Sequence, residues 1–382
     1  MDFTVSDEHE TFRQVVREFA TRELGPHVEQ WDQEHALPLD AVAKMADLGL
    51  FGLVFPSRWG GADAEFVTLC IAIEEIGRVD QSLGITLSAA VGLGTNPIFT
   101  FGSPEQQERW LPDLVAGRAL GAFGLTEPDG GSDAGATRTT ARCDARTGDW
   151  VLNGAKAFIT NSGTAITSVI TVTARTDDGQ ISSFLVPAGT PGLIIEPAYR
   201  KLGWHASDTH GLVLQDCHVP NENLLGQQGG GFRNFLAILD DGRVAISALA
   251  VGCAQACLDH AVSYACERNA FGGPIGRFQG VAFALADLAV AVENARNLTY
   301  KAAWLKDNGH DFKQAAAMAK LYSTEAAVSA TRTATQVFGG AGFIEETPVA
   351  RFYRDAKILE IGEGTSEIQR LVIARGLGLP VG

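Results

Sequence analysis

Two changes of sequence texture divide this chain of 382 residues, one at about Gly121 and one at about Gly230. Before the first, apolar residues such as Phe12, Val15 and Phe19 recur at helical spacing. Between the two, short apolar runs alternate with turn residues, which is typical of an antiparallel β domain. After the second, long alanine-rich stretches favour a helical bundle. We therefore predict an α+β chain of three domains: N-terminal helices over residues 1–120, an antiparallel β domain over 121–230 and a C-terminal four-helix bundle over 231–382.

The same patterns predict individual elements. Residues 81–103 are apolar and nearly uncharged, which indicates a buried helix, and Pro97 indicates that it ends near Asn96. In the C-terminal part, apolar periodicity predicts long helices over residues 243–267, 281–308 and 311–338. The apolar runs of the β domain are residues 150–152, 169–172, 184–186, 193–195 and 212–214.

Composition excludes several classes of partner. The net charge of −15 argues against binding of a nucleic-acid backbone. No apolar run approaches the roughly 18–20 residues that a membrane helix needs, and residues 1–8 lack a leader pattern, so we expect a cytoplasmic protein without a membrane partner. Cys253 and Cys257 are four apart among apolar residues, which predicts buried free thiols. The histidines match no ligand spacing, so we expect no metal.

A carboxylate between two glycines is the strongest candidate for chemistry. Glu363 lies between Gly362 and Gly364, and glycine allows a backbone to approach a ligand closely. Thr365 and Ser366 follow as N-cap candidates for the last helix. A helix N-terminus is an anion site, and a buried glutamate has a raised pKa, so the segment suits a general base beside an anionic ligand.

Six motifs in order resemble those of the acyl-CoA dehydrogenase family. They span nearly the whole chain and are LTEPDGGSDAG (residues 125–135), NGAKAFITN (153–161), KLGWHASDT (201–209), ERNAFGGPIGRFQ (267–279), QVFGGAGF (336–343) and IGEGTSEIQR (361–370). The resemblance implies an α–β–α fold, bound FAD and removal of two hydrogens from the Cα–Cβ bond of an acyl-CoA. The product would be the trans-2-enoyl-CoA, and an electron-transferring flavoprotein would accept the electrons.

In this family Glu363 would abstract the α-proton while flavin N5 takes the β-hydride. The backbone N–H of Glu363 and a ribityl hydroxyl would hold the thioester carbonyl. Some relatives carry the base at the position of Gly242, on a helix that we expect to start at residues 240–243, and a glycine cannot serve. Gly362 stands where a tyrosine often precedes the base, which leaves the shape of the pocket open.

The resemblance also implies which residues hold FAD. Phe123, Leu125, Thr126 and Ser132 would contact the isoalloxazine and pyrophosphate, and Phe158 and Thr160 would lie behind the flavin, although Phe158 alone would suit a core aromatic. A second set would reach the FAD of a neighbouring subunit, which implies a homotetramer built as a dimer of dimers: Arg268, Phe271, Gln336 and Gly340. Gln279 would also bind FAD. Thr365 and Glu367 would lie beside the nucleotide of their own subunit.

Substrate contacts are carried over in the same way. Ser132, Asp240, Arg243 and Gly364 would border the CoA path, although Arg243 at the start of a helix could equally form a surface ion pair. Relatives that act on dicarboxylic acyl groups place an arginine near the position of Gly84. We therefore expect an uncharged acyl group of short to medium length.

Several alternatives stay open. Oxidases of this fold usually carry a further C-terminal domain, for which 382 residues leave no room. Related monooxygenases and nitroalkane oxidases lack a glutamate on this turn. We therefore expect none of these three kinds of enzyme. A dehydrogenase of an acyl carrier protein thioester, one of a carboxylated acyl-CoA, and the reverse enoyl-CoA reduction would use the same residues. A non-catalytic binding protein is the alternative of another class, and bound flavin would argue against it.

Overall fold

The chain begins with a group of short helices. The computed structural model describes residues 6–381, and residues 1–5 of the leader prediction lie outside that range. Caps define several of these helices: the hydroxyl of Ser6 accepts from the N–H of His9, and Ser103 and Gln106 form a capping box. The seven helices are α1 (Asp7–Phe19), α2 (Val28–Glu34), α3 (Leu39–Asp47), α4 (Phe66–Val79), α5 (Gln81–Ala89), α6 (Asn96–Phe101) and α7 (Pro104–Val115).

Helix α5 continues through a π-helical segment, Ala90–Thr95, into α6. The helical stretch therefore ends at Phe101 and not near Asn96, because Pro97, which has no N–H, lies where the π-helical segment changes to the α-helix α6 and does not end the helix there. By length and mean hydropathy, 1.2, Gln81–Phe101 could cross a membrane, contrary to the prediction from sequence. However, 72% of its most apolar window is buried inside the protein, as in the core helix of a soluble protein.

A sheet of eight strands forms the middle of the chain. Its order is β6-β7-β3-β2-β4-β5-β8, and β1 pairs with β4 off this path. The sheet is mainly antiparallel, as predicted, but β1 runs parallel to β4, with Phe123 opposite Thr171. All five predicted apolar runs lie in strands. The strands are β1 (Leu120–Gly124), β2 (Thr140–Cys143), β3 (Trp150–Thr160), β4 (Thr167–Arg175), β5 (Ile181–Pro187), β6 (Leu193–Ile195), β7 (Thr209–Val219) and β8 (Leu224–Leu225).

Helices return after the sheet, interrupted by a small hairpin of β9 (Asn269–Ala270) and β10 (Gly273–Pro274). Three of them are long and two are short, whereas we predicted four long ones, because glycines and Pro348 interrupt the last part of the chain. The helices are α8 (Gly231–Glu267), α9 (Gln279–Asp307), α10 (Lys313–Phe338), α11 (Pro348–Ala356) and α12 (Ser366–Gly376). The buried Cys253 and Cys257 on α8 are free thiols, as predicted.

The longest helix, α8, packs directly against the N-terminal helices. A β-carbon at Gly84 would stand 2.4 Å from Cδ1 of Leu249, and one at Gly77 would stand 2.6 Å from the same atom. Glycine at both positions therefore allows α4 and α5 to approach α8 closely. The N-terminal and C-terminal helices share one apolar core, and the sheet has a second core of its own.

Candidate active site

The turn that carries Glu363 joins the last two helical segments. Glu363 and Gly364 both have left-handed backbones, with φ of 55° and 89°. Such a conformation costs free energy at a glutamate, so the surrounding contacts must hold it. Thr365 is the N-cap of α12, because its hydroxyl accepts from the N–H of Ile368 at 3.3 Å.

The Glu363 carboxylate points at the backbone of α8. Its Oε2 is buried and has no hydrogen-bond partner among residues 6–381. A β-carbon at Gly242 would stand only 2.5 Å from this oxygen, so glycine makes the space in which the carboxylate lies. Burial raises the pKa of Glu363, against the opposing charges of Lys320 and Arg243. This is the direction expected from the sequence, and it makes the carboxylate a stronger base than an exposed one.

Two buried side chains hold the carbonyl oxygens of this turn. Lys320 Nζ donates to the carbonyl of Gly364 at 2.8 Å, and Gln369 Nε2 donates to the same oxygen at 2.9 Å and to the carbonyl of Glu363 at 3.2 Å. The backbone N–H of Glu363 donates to no acceptor within the described part of the chain, so it is available to a ligand. Sequence reasoning missed Lys320; the available signal was a lone lysine among buried alanines such as Ala316 and Ala319.

Arg243 lies in the middle of a helix and not at its start. The expected start at residues 240–243 is wrong, because α8 already begins at Gly231. Helical residues of α8 therefore both precede and follow Arg243. Its side chain is buried and pairs with Asp240 at 2.5 Å, which corrects the alternative of a surface ion pair. Burial raises the pKa of Asp240, against the opposing charge of Arg243.

A second group of predicted residues lies on the sheet. Phe123 on β1 is buried, and its ring centre is 5.5 Å from that of Phe235 on α8, so the sheet meets the bundle here. The carbonyl of Leu125 accepts from Lys156 Nζ at 3.2 Å, and that of Thr126 accepts from the N–H of Ala157 at 2.8 Å. The loop that follows β1 is thereby fixed to β3.

An ion pair under this loop holds it in place. Lys156 is fully buried, and its Nζ lies 2.8 Å from Glu127 Oε1. The Glu127 carboxylate also accepts the backbone N–H groups of Arg138 and Thr139, at 2.7 and 3.0 Å. Both ends of residues 127–138 are therefore tied to one carboxylate, and the loop presents Ser132 to solvent.

Phe158 and Thr160 lie at the end of β3, where the pairing with β7 is irregular. Phe158 has φ of 62° and is 65% exposed, so it is not a core aromatic. The irregular register turns its ring out of the sheet, beside Tyr199 at 5.2 Å. Thr160 is half-buried at the last position of the strand. An exposed ring on a fixed strand offers a flat apolar surface to a ligand.

A third group lies at the other end of the bundle. Arg268 follows the end of α8, about 39 Å along the helix axis from Gly242 at the usual rise per residue. The rings of Tyr264 and Phe338 stack at 4.1 Å and so join the ends of α8 and α10. Each predicted member of this group is exposed: Arg268, Phe271, Gln279, Gln336 and Gly340. Within one chain they are separated from the Glu363 turn, whereas Thr365, Gly364 and Glu367 lie on it or beside it.

Comparison with known proteins identifies the class. Family models match at residues 6–118 (acyl-CoA dehydrogenase, N-terminal domain), 122–217 (middle domain) and 229–378 (C-terminal domain). A Bacillus subtilis protein, probable acyl-CoA dehydrogenase YngJ, is 47% identical over 99% of this chain and 100% of its own length. The mouse mitochondrial short-chain specific acyl-CoA dehydrogenase is 48% identical over 96% of this chain and 89% of its own.

Solved structures agree with this class. Butyryl-CoA dehydrogenase from Megasphaera elsdenii has a TM-score of 0.95 and 41% identity, covering 99% of this chain and 100% of that one. An acyl-CoA dehydrogenase from Bacillus anthracis, complexed with FAD, has a TM-score of 0.91 and 32% identity over 98% of this chain and 69% of that one. Fold and comparisons together define a flavoprotein oxidoreductase. The chain belongs to the acyl-CoA dehydrogenase family, and its cofactor is FAD.

The residues present fit a bound flavin. The exposed ring of Phe158 stands beside the loop that Lys156 and Glu127 fix, so an apolar surface and an ordered backbone lie together. The Glu363 carboxylate faces α8, and Phe235 of the same helix contacts β1 of the sheet. The sheet that carries Phe158 therefore meets the bundle on α8, the helix that the Glu363 carboxylate faces.

Proposed function

We propose that this enzyme oxidises the Cα–Cβ bond of an uncharged, short-chain to medium-chain acyl-CoA, with Glu363 as the base that removes the α-proton. The observation that supports this role is a buried carboxylate oxygen without a protein partner, in a chain of this family. The free N–H of Glu363 is suited to hold the thioester carbonyl as negative charge develops on it. Bound FAD supplies the acceptor for the β-hydride.

For the cofactor, we propose that Phe123, Leu125, Thr126, Ser132, Phe158 and Thr160 hold FAD from the sheet, and that Thr365 and Glu367 lie beside its nucleotide. Arg268, Phe271, Gln336 and Gly340 would complete the FAD site of a neighbouring subunit in a homotetramer, and Gln279 would also bind FAD. The separation of about 39 Å between Gly242 and Arg268 supports a split of the two groups between subunits.

For the substrate, Ser132, Asp240, Arg243 and Gly364 would border the CoA, and Arg243 is suited to this because burial with Asp240 fixes its orientation. An uncharged acyl group is favoured because position 84 holds a glycine and not a basic residue that would bind a second carboxylate. Gly84 packs against Leu249, so a larger side chain does not fit at this position. An electron-transferring flavoprotein as acceptor, the cytoplasm as location and domain boundaries at residues 120 and 230 stay predictions.

The test is anaerobic titration of the yellow holoenzyme with butyryl-, hexanoyl- and glutaryl-CoA while flavin absorbance is followed. We expect bleaching by the first two and none by the third. In Glu363→Gln, which is nearly isosteric, we expect flavin to be retained and bleaching to be lost. Bleaching by the Glu363→Gln protein at the wild-type rate would contradict the role of the base. Bleaching by an acyl carrier protein thioester alone would favour the carrier-protein alternative.

A further inference from the structure

The turn at Glu363 is held by side chains from two other helices. Its left-handed residues expose the carbonyl oxygens of Glu363 and Gly364 on one side, and three hydrogen bonds from Lys320 and Gln369 reach them. Lys320 comes from α10 and Gln369 from α12, and both side chains are fully buried. Because the conformation of the turn is unfavourable for glutamate on its own, these bonds determine where the carboxylate points.

A buried lysine such as Lys320 is an unusual donor for a hydrogen bond to a backbone carbonyl. Within residues 6–381 its ammonium forms no salt bridge, and its hydrogen bond goes to a backbone carbonyl. Burial lowers the pKa of Lys320 to about 8, against the opposing charges of Glu363 and Glu360. A buried charge without a paired carboxylate costs free energy, so a neutral donor would stabilise the fold better. What a lysine adds here is a positive charge next to the base.

We propose that Lys320 is a positioning residue for the base: it fixes the Glu363 turn through the carbonyl of Gly364 and favours the ionised carboxylate. The inference rests on the proposed role of Glu363. Lys320 does not touch the reacting atoms. Its effect passes through the orientation and the protonation state of Glu363, and Gln369 shares only the first of these two tasks.

The charged groups around Glu363 make the effect specific. Arg243 approaches from α8, but its guanidinium is already paired with Asp240 at 2.5 Å. On the flanking segments, Glu360 pairs with the exposed Lys357, and Glu367 lies at the surface. Lys320 is therefore a buried cation near Glu363 that forms no salt bridge with another carboxylate in the described chain. Without it the pKa of Glu363 rises further, because an opposite charge nearby favours the ionised form.

The experiment compares the pH profile of kcat/KM, for the best acyl-CoA of the titration, in wild type and Lys320→Met. FAD content and melting temperature are measured alongside. We expect the acidic limb of Lys320→Met to move to higher pH by about one unit. Lys320→Arg, which keeps a charge, should return the limb toward the wild-type position. Lys301→Met, at an exposed lysine on α9, is the matched control and should leave the profile unchanged.

A second variant guards against failure to fold. Lys320→Gln keeps a donor for Gly364 and removes only the charge, so it should shift the limb in the same direction. An unchanged limb in a folded, FAD-loaded Lys320→Met or Lys320→Gln protein would overturn the inference. Failure of the proposed function gives a different result. If Glu363 is not the base, Glu363→Gln keeps its activity. If only the inference about Lys320 fails, Glu363→Gln is inactive and the acidic limb of the Lys320 variants does not shift.

Discussion

Glu363 and Gly242 are complementary: the carboxylate oxygen of the first fills the space that a side chain at the second would need. A β-carbon at position 242 would stand 2.5 Å from Oε2 of Glu363 and 3.1 Å from its carboxyl carbon. Real atoms do not approach so closely, so any larger residue at 242 must displace the carboxylate. The proposed base and the glycine therefore function as a pair.

Gly242→Ala tests this relationship. The added methyl group pushes the Glu363 carboxylate from its position, and a displacement of about 1 Å can cost on the order of 10²-fold in rate. We expect kcat to fall by about that factor while FAD stays bound. The measurement is steady-state turnover with the best acyl-CoA. Gly280→Ala is the control, since a β-carbon there meets nothing within 4 Å, and equal losses in both proteins would contradict the explanation.

Lys156→Met tests the support of the proposed flavin loop. The change leaves the Glu127 carboxylate buried without its cation, and removal of one partner of a buried pair costs about 3–5 kcal/mol. We expect lower free energy of unfolding and weaker FAD binding, because the loop between Glu127 and Arg138 loses its anchor. Urea unfolding and fluorescence titration of the apoprotein with FAD measure the two effects.

The double variant Lys156→Met with Glu127→Gln is the matching control. Removal of both charges should recover part of the lost free energy of unfolding, because no uncompensated charge remains buried. FAD affinity should stay reduced, since the amide holds the backbone N–H groups of Arg138 and Thr139 less strongly than the carboxylate does. Full recovery of FAD affinity would mean that the loop needs no charged anchor.

Asp355→Asn tests the pH dependence of stability. Burial raises the pKa of Asp355 to about 7, against the opposing charge of Arg351, and its Oδ1 accepts from the N–H of Trp204. Because the folded pKa exceeds the unfolded value of 3.8, the folded state binds more protons between these pH values. Stability from this group is therefore present at low pH and is lost as pH rises toward 7.

The wild-type protein should lose free energy of unfolding relative to Asp355→Asn across this window, by at most about 1.4 kcal/mol per pH unit. Urea unfolding at pH 4.5, 6 and 7.5 measures the difference between the two proteins, so that other titrating groups cancel. A difference that does not change with pH would show that Asp355 ionises normally in the folded protein.

Gly84→Ala tests the close packing of α5 on α8. The new methyl group would stand 2.4 Å from Cδ1 of Leu249, and such overpacking costs about 1–3 kcal/mol. We expect a lower free energy of unfolding, measured by urea denaturation. Gly92→Ala is the control in the adjacent π-helical segment, where a β-carbon meets nothing within 4 Å. A stable Gly84→Ala protein would mean that Leu249 can move away, and that larger side chains fit there too.

Local sequence pattern was enough for most elements. Apolar runs located five of the strands, and helical periodicity located α9 and α10 to within two residues. The start of α8 was missed because polar residues such as Arg233 and Asn234 hide its apolar face. The parallel pairing of β1 with β4 joins residues far apart in the chain, which a local pattern does not record.

The candidate site was predictable only in part. Glu363 was found because its glycine neighbours and the N-cap at Thr365 are local signals. Lys320 was not found, because the residue that it contacts, Gly364, lies 44 residues away in the sequence. In the sequence alone, the segment around Lys320 looks like an ordinary alanine-rich helix. The space at Gly242 is likewise defined by a carboxylate from another segment.

The length of α8 determines which subunit's active site a mutation affects. Gly242 and Arg268 lie on one rigid helix but, under the proposed assembly, belong to two different flavin sites. A mutation at Arg268 would then inactivate the flavin site of the neighbouring subunit and leave the site of its own chain intact. Chains with Arg268→Ala, coassembled with chains carrying Glu363→Gln, would form some sites that are intact in both respects. Two inactive preparations would restore each other's activity on mixing and reassembly.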